Sequence, residues 1–323
     1  MDEFSFIDEI KQSYYRQPSL IKGIGDDGAV TQPNGQNVVF VKDMFVEGIH
    51  FAAHTMSPFH IGYKSLAANI SDLAAMGAQP AFYLVAISIP KEWPLKKIAT
   101  IFQGMKRLAN KYQMDLIGGD TVSGSELVIS ITAIGYAEDN KARYRSDASV
   151  GDIVFVTGTL GDSQAGLHIL NNPGAYLDES YYLMRHQMPS PRVEFALELI
   201  RLPRLSLNDI SDGIASEVHE IADASKVTIV IQENKIPVHF SYGQFDTNKQ
   251  FKWKLFGGED FELVGTVPKQ HWNCVQEAAT LHQIKVSKIG YVVEQDSRSN
   301  VLLQLENGKK VSLQKDGYNH LSR

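Results

Sequence analysis

Six short stretches of this chain repeat one junction, in which an apolar run ends and an acidic residue follows beside glycine or at the head of a helical stretch. They are Gly23-Ile-Gly-Asp-Asp-Gly28, the segment from Asp43 to His50, that from Asn69 to Asp72, Gly118-Gly-Asp120, Asp209-Ile-Ser-Asp-Gly213 and Gly257-Gly-Glu-Asp260. Glycine lets a chain turn sharply where a side chain would clash. The pattern therefore dictates short strands and helices that alternate through tight acidic turns, the rhythm of a layered α/β architecture. Asp beside Gly also occurs in ordinary turns, so each stretch alone is ambiguous. Together, so many carboxylates at turns point to one site that collects hard cations, and such cations bridge proteins to phosphates.

The rhythm runs through all 323 residues, more than one core normally serves. In the first half, Val38 to Val41 reads as a strand with Asp43 at its mouth. Pro58 opens a helix with Leu66, Ile70 and Leu73 on its core face, stopped by Gly77 and Pro80; Asn69 and Asp72 share one stripe of it. Phe82 to Ile89 reads as a buried strand, Leu95 to Tyr112 as an amphipathic helix, and Leu127 to Gly135 as another strand. The chain turns polar between Ala137 and Val150, which places a domain boundary there. The second half offers strand Ile153 to Val156, a glycine turn from Gly158 to Gly161, helices near Ser163 to Leu170 and Arg192 to Leu202, a helix after Asp212, and strand Phe261 to Val267. The expectation is an α/β fold of the α+β type in two domains, 1–140 and 150–323. Each would be a mixed β-sheet covered by helices, with the helices on one face.

Composition narrows the partners. A balance of 31 basic and 37 acidic residues leaves a net charge of −6, without a basic run, which argues against nucleic acid or an anionic membrane. No apolar run approaches a membrane span, and the N-terminus is acidic where a signal peptide would be basic, so a cytoplasmic location is expected. Cys274 is the sole cysteine, which excludes an intrachain disulfide and a cysteine-rich metal site. A small-molecule ligand is the expected partner.

Gly23-Ile-Gly-Asp-Asp-Gly28 matches the dinucleotide fingerprint in form only. That fingerprint opens a helix, whereas Pro33, Asn34 and Gly35 soon break this chain, and two aspartates would repel a pyrophosphate. The conflict disappears if Asp26 or Asp27 holds Mg²⁺ and the metal carries the phosphate. No Gly-Lys-Ser or Gly-Lys-Thr is present, so there is no Walker A loop. His50 and His54 lack the intervening Glu of a zinc protease helix, which leaves His50 a hydrogen-bonding role in a polar cleft. Arg145 is either a solvated loop residue or a phosphate clamp, and Tyr318 either a packing anchor or the wall of a site for a flat ring.

Taken in order, the motifs resemble those of the thiamine-monophosphate kinases, within the superfamily that includes aminoimidazole ribonucleotide synthetase. The residues that carry the resemblance are Gly23-Ile-Gly-Asp-Asp27, Glu47-Gly-Ile-His-Phe51, the run from Tyr63 to Gly77, Ile117-Gly-Gly-Asp-Thr121, Val156-Thr-Gly-Thr-Leu-Gly-Asp162, Ile210-Ser-Asp-Gly213, Phe256-Gly-Gly-Glu-Asp260 and Gly317-Tyr-Asn-His320. They span essentially the whole chain. The resemblance implies that Asp27, Asp43, Asp72, Asp120, Asp209 and Asp212 hold several Mg²⁺ ions, and that Phe102, Gly119, Asp120, Arg145 and Ser211 meet ATP. It implies that His50, Glu259 and Tyr318 contact thiamine monophosphate, and that the chain forms a homodimer through its N-terminal sheets. One departure stands out: Val41-Lys42 replaces hydroxyl residues that many family members carry before the aspartate, so a metal contact is lost or supplied by backbone oxygen, or Lys42 sets a positive charge near the phosphates.

The reaction implied is ATP plus thiamine monophosphate giving ADP and thiamine diphosphate by direct in-line transfer. Its acceptor is a phosphate whose second pKa near ~6 leaves it ionised at neutral pH, so no general base is needed. The obstacle is repulsion between two anions, met by positioning and bridging Mg²⁺. The alternatives are another ATP-dependent synthetase of the superfamily, a Mg²⁺-dependent phosphatase, and a nucleotide-binding regulator without turnover. Glu259 and Tyr318, which only a substrate needs, favour an enzyme over the regulator.

Overall fold

The computed structural model describes residues 14–22, 30–31, 36–296 and 299–315. The chain divides into two compact units, Met1–Leu73 with Ala78–Asn140, and Ala74–Gly77 with Lys141–Arg323.

The first unit begins with a small antiparallel pair, β1 (Leu20–Lys22) and β2 (Val30–Thr31). Its body is a four-stranded sheet of β3 (Asn37–Val46), β4 (Gln79–Pro90), β5 (Asp115–Gly124) and β6 (Val128–Ala137) in the order β3-β6-β4-β5. Helix α1 (Pro58–Ala75) links β3 to β4, and α2 (Leu95–Tyr112) links β4 to its parallel neighbour β5. Proline suits the first helical position because the missing N–H has no partner there anyway. Alternation along β3 turns Phe45 inward and leaves Phe40, Lys42 and Met44 exposed. Ile129, Ile131, Val85 and Ile87 continue the inward face on β6 and β4.

Two glycines set how closely the two helices approach. A Cβ on Gly62 would lie 1.8 Å from the carbonyl oxygen of Ile101, and one on Gly104 would lie 2.0 Å from that of Phe59. The helix backbones therefore touch, which holds the Asn69–Asp72 stripe of α1 in a fixed place.

The second unit is built on a seven-stranded sheet: β7 (Ile153–Thr157), β8 (Ser206–Asp209), β9 (Thr228–Gln232), β10 (Leu263–Val267), β11 (Val286–Val293), β12 (Val301–Gln304) and β13 (Lys310–Ser312). The order is β13-β12-β9-β11-β7-β10-β8, and every pair is antiparallel except β12 with β9. Its helices are α3 (Asp162–Asn171), α4 (Glu179–Gln187), α5 (Val193–Glu198), α6 (Ile214–Ser225), α7 (Thr247–Phe256) and α8 (Trp272–Leu281).

Helices cover both faces of this second sheet, not the single face expected. Val154 and Val156 share a core with Ile214, Val218 and Ile221 of α6. Phe155, between them on β7, turns the other way and meets Phe195 of α5 and Trp272 of α8 at ring-centroid distances of 6.4 and 6.2 Å. An uninterrupted apolar strand is the mark of a sheet buried on both sides.

Two strands also run further than expected. Asp43 lies inside β3 rather than at its mouth, because Met44, Phe45 and Val46 continue the ladder against Ser130, Ile129 and Val128. Gly118 to Asp120 likewise lie within β5, paired with Leu84, Val85 and Ala86.

Gly104→Ala should lower stability by about 2 kcal/mol or more, since overpacking against a helix backbone leaves little room to relax. Gly243→Ala, with nothing within 4 Å of its Cβ, should stay within ~0.5 kcal/mol. Urea unfolding of both variants checks the pair, and equal midpoints would contradict the helix contact.

Candidate active site

In the first unit, register places the expected residues on two faces of one sheet. Asp43 sits opposite Ile131, which sits opposite Val85, which pairs with Gly119. Asp43 thus shares the helix-covered face and is half-buried, whereas Asp120 follows Ala86 and Ser130 onto the other face and is exposed. Gly119 has a packing reason of its own, since a Cβ there would lie 1.9 Å from the Val85 carbonyl oxygen. Lys42 faces away from Asp43, and its Nζ donates to Thr132 Oγ1 at 3.4 Å. Alternation therefore keeps its charge off Asp43's side of the sheet.

His50 folds back on β3. Its Nδ1 accepts from the Val46 backbone N–H at 3.1 Å and its ring stacks on Phe45 at 5.0 Å. With Nδ1 an acceptor, the neutral ring carries its proton on Nε2 and meets a ligand as a donor. On α1, Asn69 is fully buried and its Oδ1 has no hydrogen-bond partner, three residues before the half-buried Asp72. Phe102 lies on the buried stripe of α2 and also lines a cavity of about 170 Å3, together with Arg16, Tyr83, Gln103, Lys106 and Asn110.

In the second unit, two acidic loops are laced together by backbone. Glu259 N–H donates to the Ser211 carbonyl at 2.7 Å, Phe261 N–H to that of Ile210 at 3.0 Å, and Ile210 N–H to that of Glu262 at 2.8 Å. Glycine makes the approach possible: a Cβ on Gly258 would lie 2.5 Å from the Ser211 oxygen, and one on Gly213 2.7 Å from the Phe256 carbonyl carbon. Glu259 and Phe261 adopt left-handed backbone, with φ of 67° and 49°. Ser211, Asp212 and Glu259 are brought side by side as a result.

Beneath this lacing lie buried charges. Glu217 of α6, 3% exposed, accepts from Asn208 Nδ2 at 2.6 Å, from Asp212 N–H at 3.1 Å and from Ser211 Oγ at 3.3 Å. Burial, then the neighbouring Asp209 carboxylate, pushes its pKa up to about 8. Arg145 Nε donates to Asn208 Oδ1 at 3.0 Å, and two hydroxyls, Ser206 and Ser225, hold the Arg145 carbonyl.

Further along the second loop, Glu262 takes a two-pronged contact from Arg192 at 2.6 and 2.5 Å, a third bond from Arg185 at 2.7 Å and one from the Thr157 hydroxyl at 2.6 Å. Asp260 accepts from the Gly161 and Ser163 N–H groups at 2.7 and 3.0 Å. Asp162 Oδ2 accepts from the Thr159 and Tyr181 hydroxyls. Three buried carboxylates thus face two guanidinium groups. The Arg192 and Arg185 charges hold Glu262 low, while burial pushes Asp162 and Asp260 upward, Asp260 to about 7.

Known proteins show what this arrangement belongs to. Family models described as AIR synthase related protein, N-terminal domain and C-terminal domain, match residues 25–137 and 149–301. A thiamine-monophosphate kinase of Bacillus subtilis is 45% identical over 327 residues, covering 99% of each chain. The chain belongs to the thiamine-monophosphate kinase family. The crystal structure of the Stenotrophomonas maltophilia K279a kinase is 30% identical with a TM-score of 0.84, covering 96% of this chain and 98% of that one. AaThiL complexed with AMPPCP and TMP is 29% identical with a TM-score of 0.78, covering 99% of this chain and 97% of that one.

Of the family positions inferred from sequence, Asp27 and Tyr318 lie outside the described residues, as does the segment from Gly23 to Gly28. Among the described residues no three His, Cys, Asp or Glu side chains form a ready-made metal cluster. The second unit does gather Arg145, Asp209, Ser211, Asp212 and Glu259 around the laced loops. Sequence reasoning missed Glu217, Asn208, Glu262, Arg185 and Arg192. An acid in the first turn of a helix ordinarily serves the helix dipole, so Glu217 carries no signal until its burial is seen.

Asp162 and Asp260 hold protons more tightly folded than unfolded. Their stabilising contribution is complete below ~4 and is lost as pH rises through their raised folded-state values, that of Asp260 at about 7. Asp162→Asn keeps an acceptor for Thr159 and Tyr181 and removes one repelling charge at the partnerless Oδ1. The thermal midpoint of the parent should fall between pH 6 and 8.5, and that of the variant by less than half as much; equal falls would contradict the coupling.

Proposed function

We propose that this protein transfers the γ-phosphoryl group of ATP to the phosphate of thiamine monophosphate, giving thiamine diphosphate and ADP. One observation carries the reading: the Glu259 N–H to Ser211 carbonyl bond at 2.7 Å, which joins a nucleotide-side residue to an acceptor-side residue. Whole-chain identity to kinases of that name, and AaThiL complexed with AMPPCP and TMP, supply the chemical identity of the two ligands.

The second unit fixes the two anions relative to one another. Arg145 offers a guanidinium fork to the nucleotide phosphates with Ser211 as its companion in the second unit, and in the first unit Gly119, Asp120 and the ring of Phe102 are the residues proposed to meet the nucleotide. The residues proposed to meet thiamine monophosphate are His50, through its Nε2 proton, in the first unit, and Glu259 and Tyr318 in the second. No general base acts, because the acceptor oxygen is already ionised near neutrality. The chain's task is to set acceptor and γ-phosphorus in line, which makes the reaction effectively unimolecular.

The residues present fit magnesium. Asn69 presents a buried oxygen without a hydrogen-bond partner beside Asp72, and burial together with the Asp209 carboxylate raises the Glu217 pKa to about 8, a cost that a divalent cation beside Asp209 would offset. Asp27, Asp43, Asp72, Asp120, Asp209 and Asp212 would hold Mg²⁺. When bound it would screen the charge between donor and acceptor phosphates.

A homodimer through the N-terminal sheets suits the sheet face opposite α1 and α2, where Phe40, Met44 and Val122 are 67%, 52% and 53% exposed. An apolar patch of this kind marks an interaction surface. The supply of ATP suits a cytoplasmic location, and among the described residues no helix is long and apolar enough to cross a membrane. The N-terminal unit is then the ATP, Mg²⁺ and dimerisation domain, and the C-terminal unit completes the substrate site.

A coupled ATP assay should yield thiamine diphosphate from thiamine monophosphate and turn over neither thiamine nor aminoimidazole-type substrates; absence of the diphosphate would sink the proposal. Asp43→Asn or Asp72→Asn should cut kcat by about 100-fold or more with an unchanged circular dichroism spectrum. Near-normal turnover at saturating Mg²⁺ would count against the ligand assignment. Light scattering should give twice the chain mass, and Phe40→Asp with Met44→Asp a single one.

A further inference from the structure

We infer that Glu217 is a positioning residue for the nucleotide: acting through Asn208, it presets the Arg145 guanidinium, and it fixes the Ser211–Asp212 loop directly. The inference rests on the proposed ATP site.

The direction of every bond in this relay is forced. An arginine N–H can only donate, so the Asn208 atom 3.0 Å from Arg145 Nε is the amide oxygen. The amide nitrogen of Asn208 therefore points the other way, and it donates to Glu217 Oε2 at 2.6 Å. The second oxygen, Oε1, accepts the Asp212 backbone N–H at 3.1 Å and the Ser211 hydroxyl at 3.3 Å. One carboxylate thus sets the orientation of an amide, and through it an arginine, while pinning two adjacent residues of the loop.

Burial makes the arrangement rigid. Asn208 and Glu217 are each 3% exposed, and Asn208 is locked in β8 opposite Val264 of β10. Arg145 itself is exposed, in a short 3-10 turn, and its ion pair to Glu220 at 3.3 Å lies at the surface. Such a surface pair holds a guanidinium weakly. Asn208 is the buried partner that aims it. The Ser211 hydroxyl, with its proton directed to Glu217, meets a ligand as an acceptor. Neither Asn208 nor Glu217 needs to touch the nucleotide for this to work.

A double-mutant cycle on nucleotide binding tests the relay. Asn208→Leu should raise KM for ATP by about tenfold while changing KM for thiamine monophosphate less than about twofold. In an Arg145→Met background the same substitution should add less than about a further twofold, because its effect passes through Arg145. Full additivity, or an unchanged KM for ATP in Asn208→Leu, would overturn the inference. Should Asn208→Leu fail to fold, Glu217→Gln enters the same cycle. Its cost should shrink in the Arg145→Met background to the part carried by the Ser211–Asp212 loop, and an equal cost in both backgrounds overturns the inference. Turnover of the parent enzyme with ATP and thiamine monophosphate separates the two levels: no turnover defeats the proposed function, whereas turnover with additive variants defeats only the relay.

Discussion

The backbone lacing between Ile210–Gly213 and Gly258–Glu262 is the contact on which the rest of the second unit's site depends. It is made of main-chain bonds between two loops with glycines at the points of closest approach. No side-chain substitution at the surface can easily loosen it. It comes with strain, since Glu259 and Phe261 both take left-handed backbone, which costs of order 1–3 kcal/mol at each residue. Strained backbone persists only where its surroundings over-determine it, and here they do: Glu262, which follows, is held by Arg192, Arg185 and Thr157.

That anchoring explains why so much charge is buried beneath the site. An isolated ion pair in a protein interior is rarely a net stabiliser, and removing one partner leaves a charge stranded at a cost of roughly 3–5 kcal/mol. The Glu262 contacts and the Glu217 relay are better understood as devices that specify geometry. Glu262 fixes the loop that carries Glu259, and Glu217 fixes the loop that carries Ser211 and Asp212. Two buried acids on different elements thereby hold the Ser211–Asp212 loop and the Glu259 loop in a single register. Within the first unit, the close contact of α1 with α2 through Gly62 and Gly104 fixes the place of Asn69 and Asp72 on α1.

Much of this was legible in the residues. The periodicity of Leu95 to Tyr112 predicts α2 as observed, and Pro58 and Gly77 bracket α1. The ordered acid and glycine motifs point to the family before any coordinate is seen. What failed to show has a physical cause. Asp43 reads as a strand end because acids are depleted from strand interiors, yet the ladder through Phe45 carries it along. Helices on both faces of the second sheet follow from apolar runs such as Ile153 to Thr157, which a one-sided strand would alternate. Glu217 and Asn208 are ordinary polar residues in sequence, and only their burial and the forced direction of their hydrogen bonds mark them. Of the alternatives that the Val41-Lys42 departure leaves open, the period of two places Lys42 on the sheet face of Asp120 and away from Asp43.

The proposed mechanism is transfer by placement, with no side chain taking the phosphoryl group itself. The stereochemistry of transfer tests that claim most directly. ATP made chiral at the γ-phosphorus with oxygen isotopes is reacted with thiamine monophosphate, and the configuration at the terminal phosphorus of thiamine diphosphate is read by phosphorus NMR. A single in-line transfer between two positioned phosphates predicts inversion. Retention would require a phosphorylated side chain as an intermediate and would contradict the account.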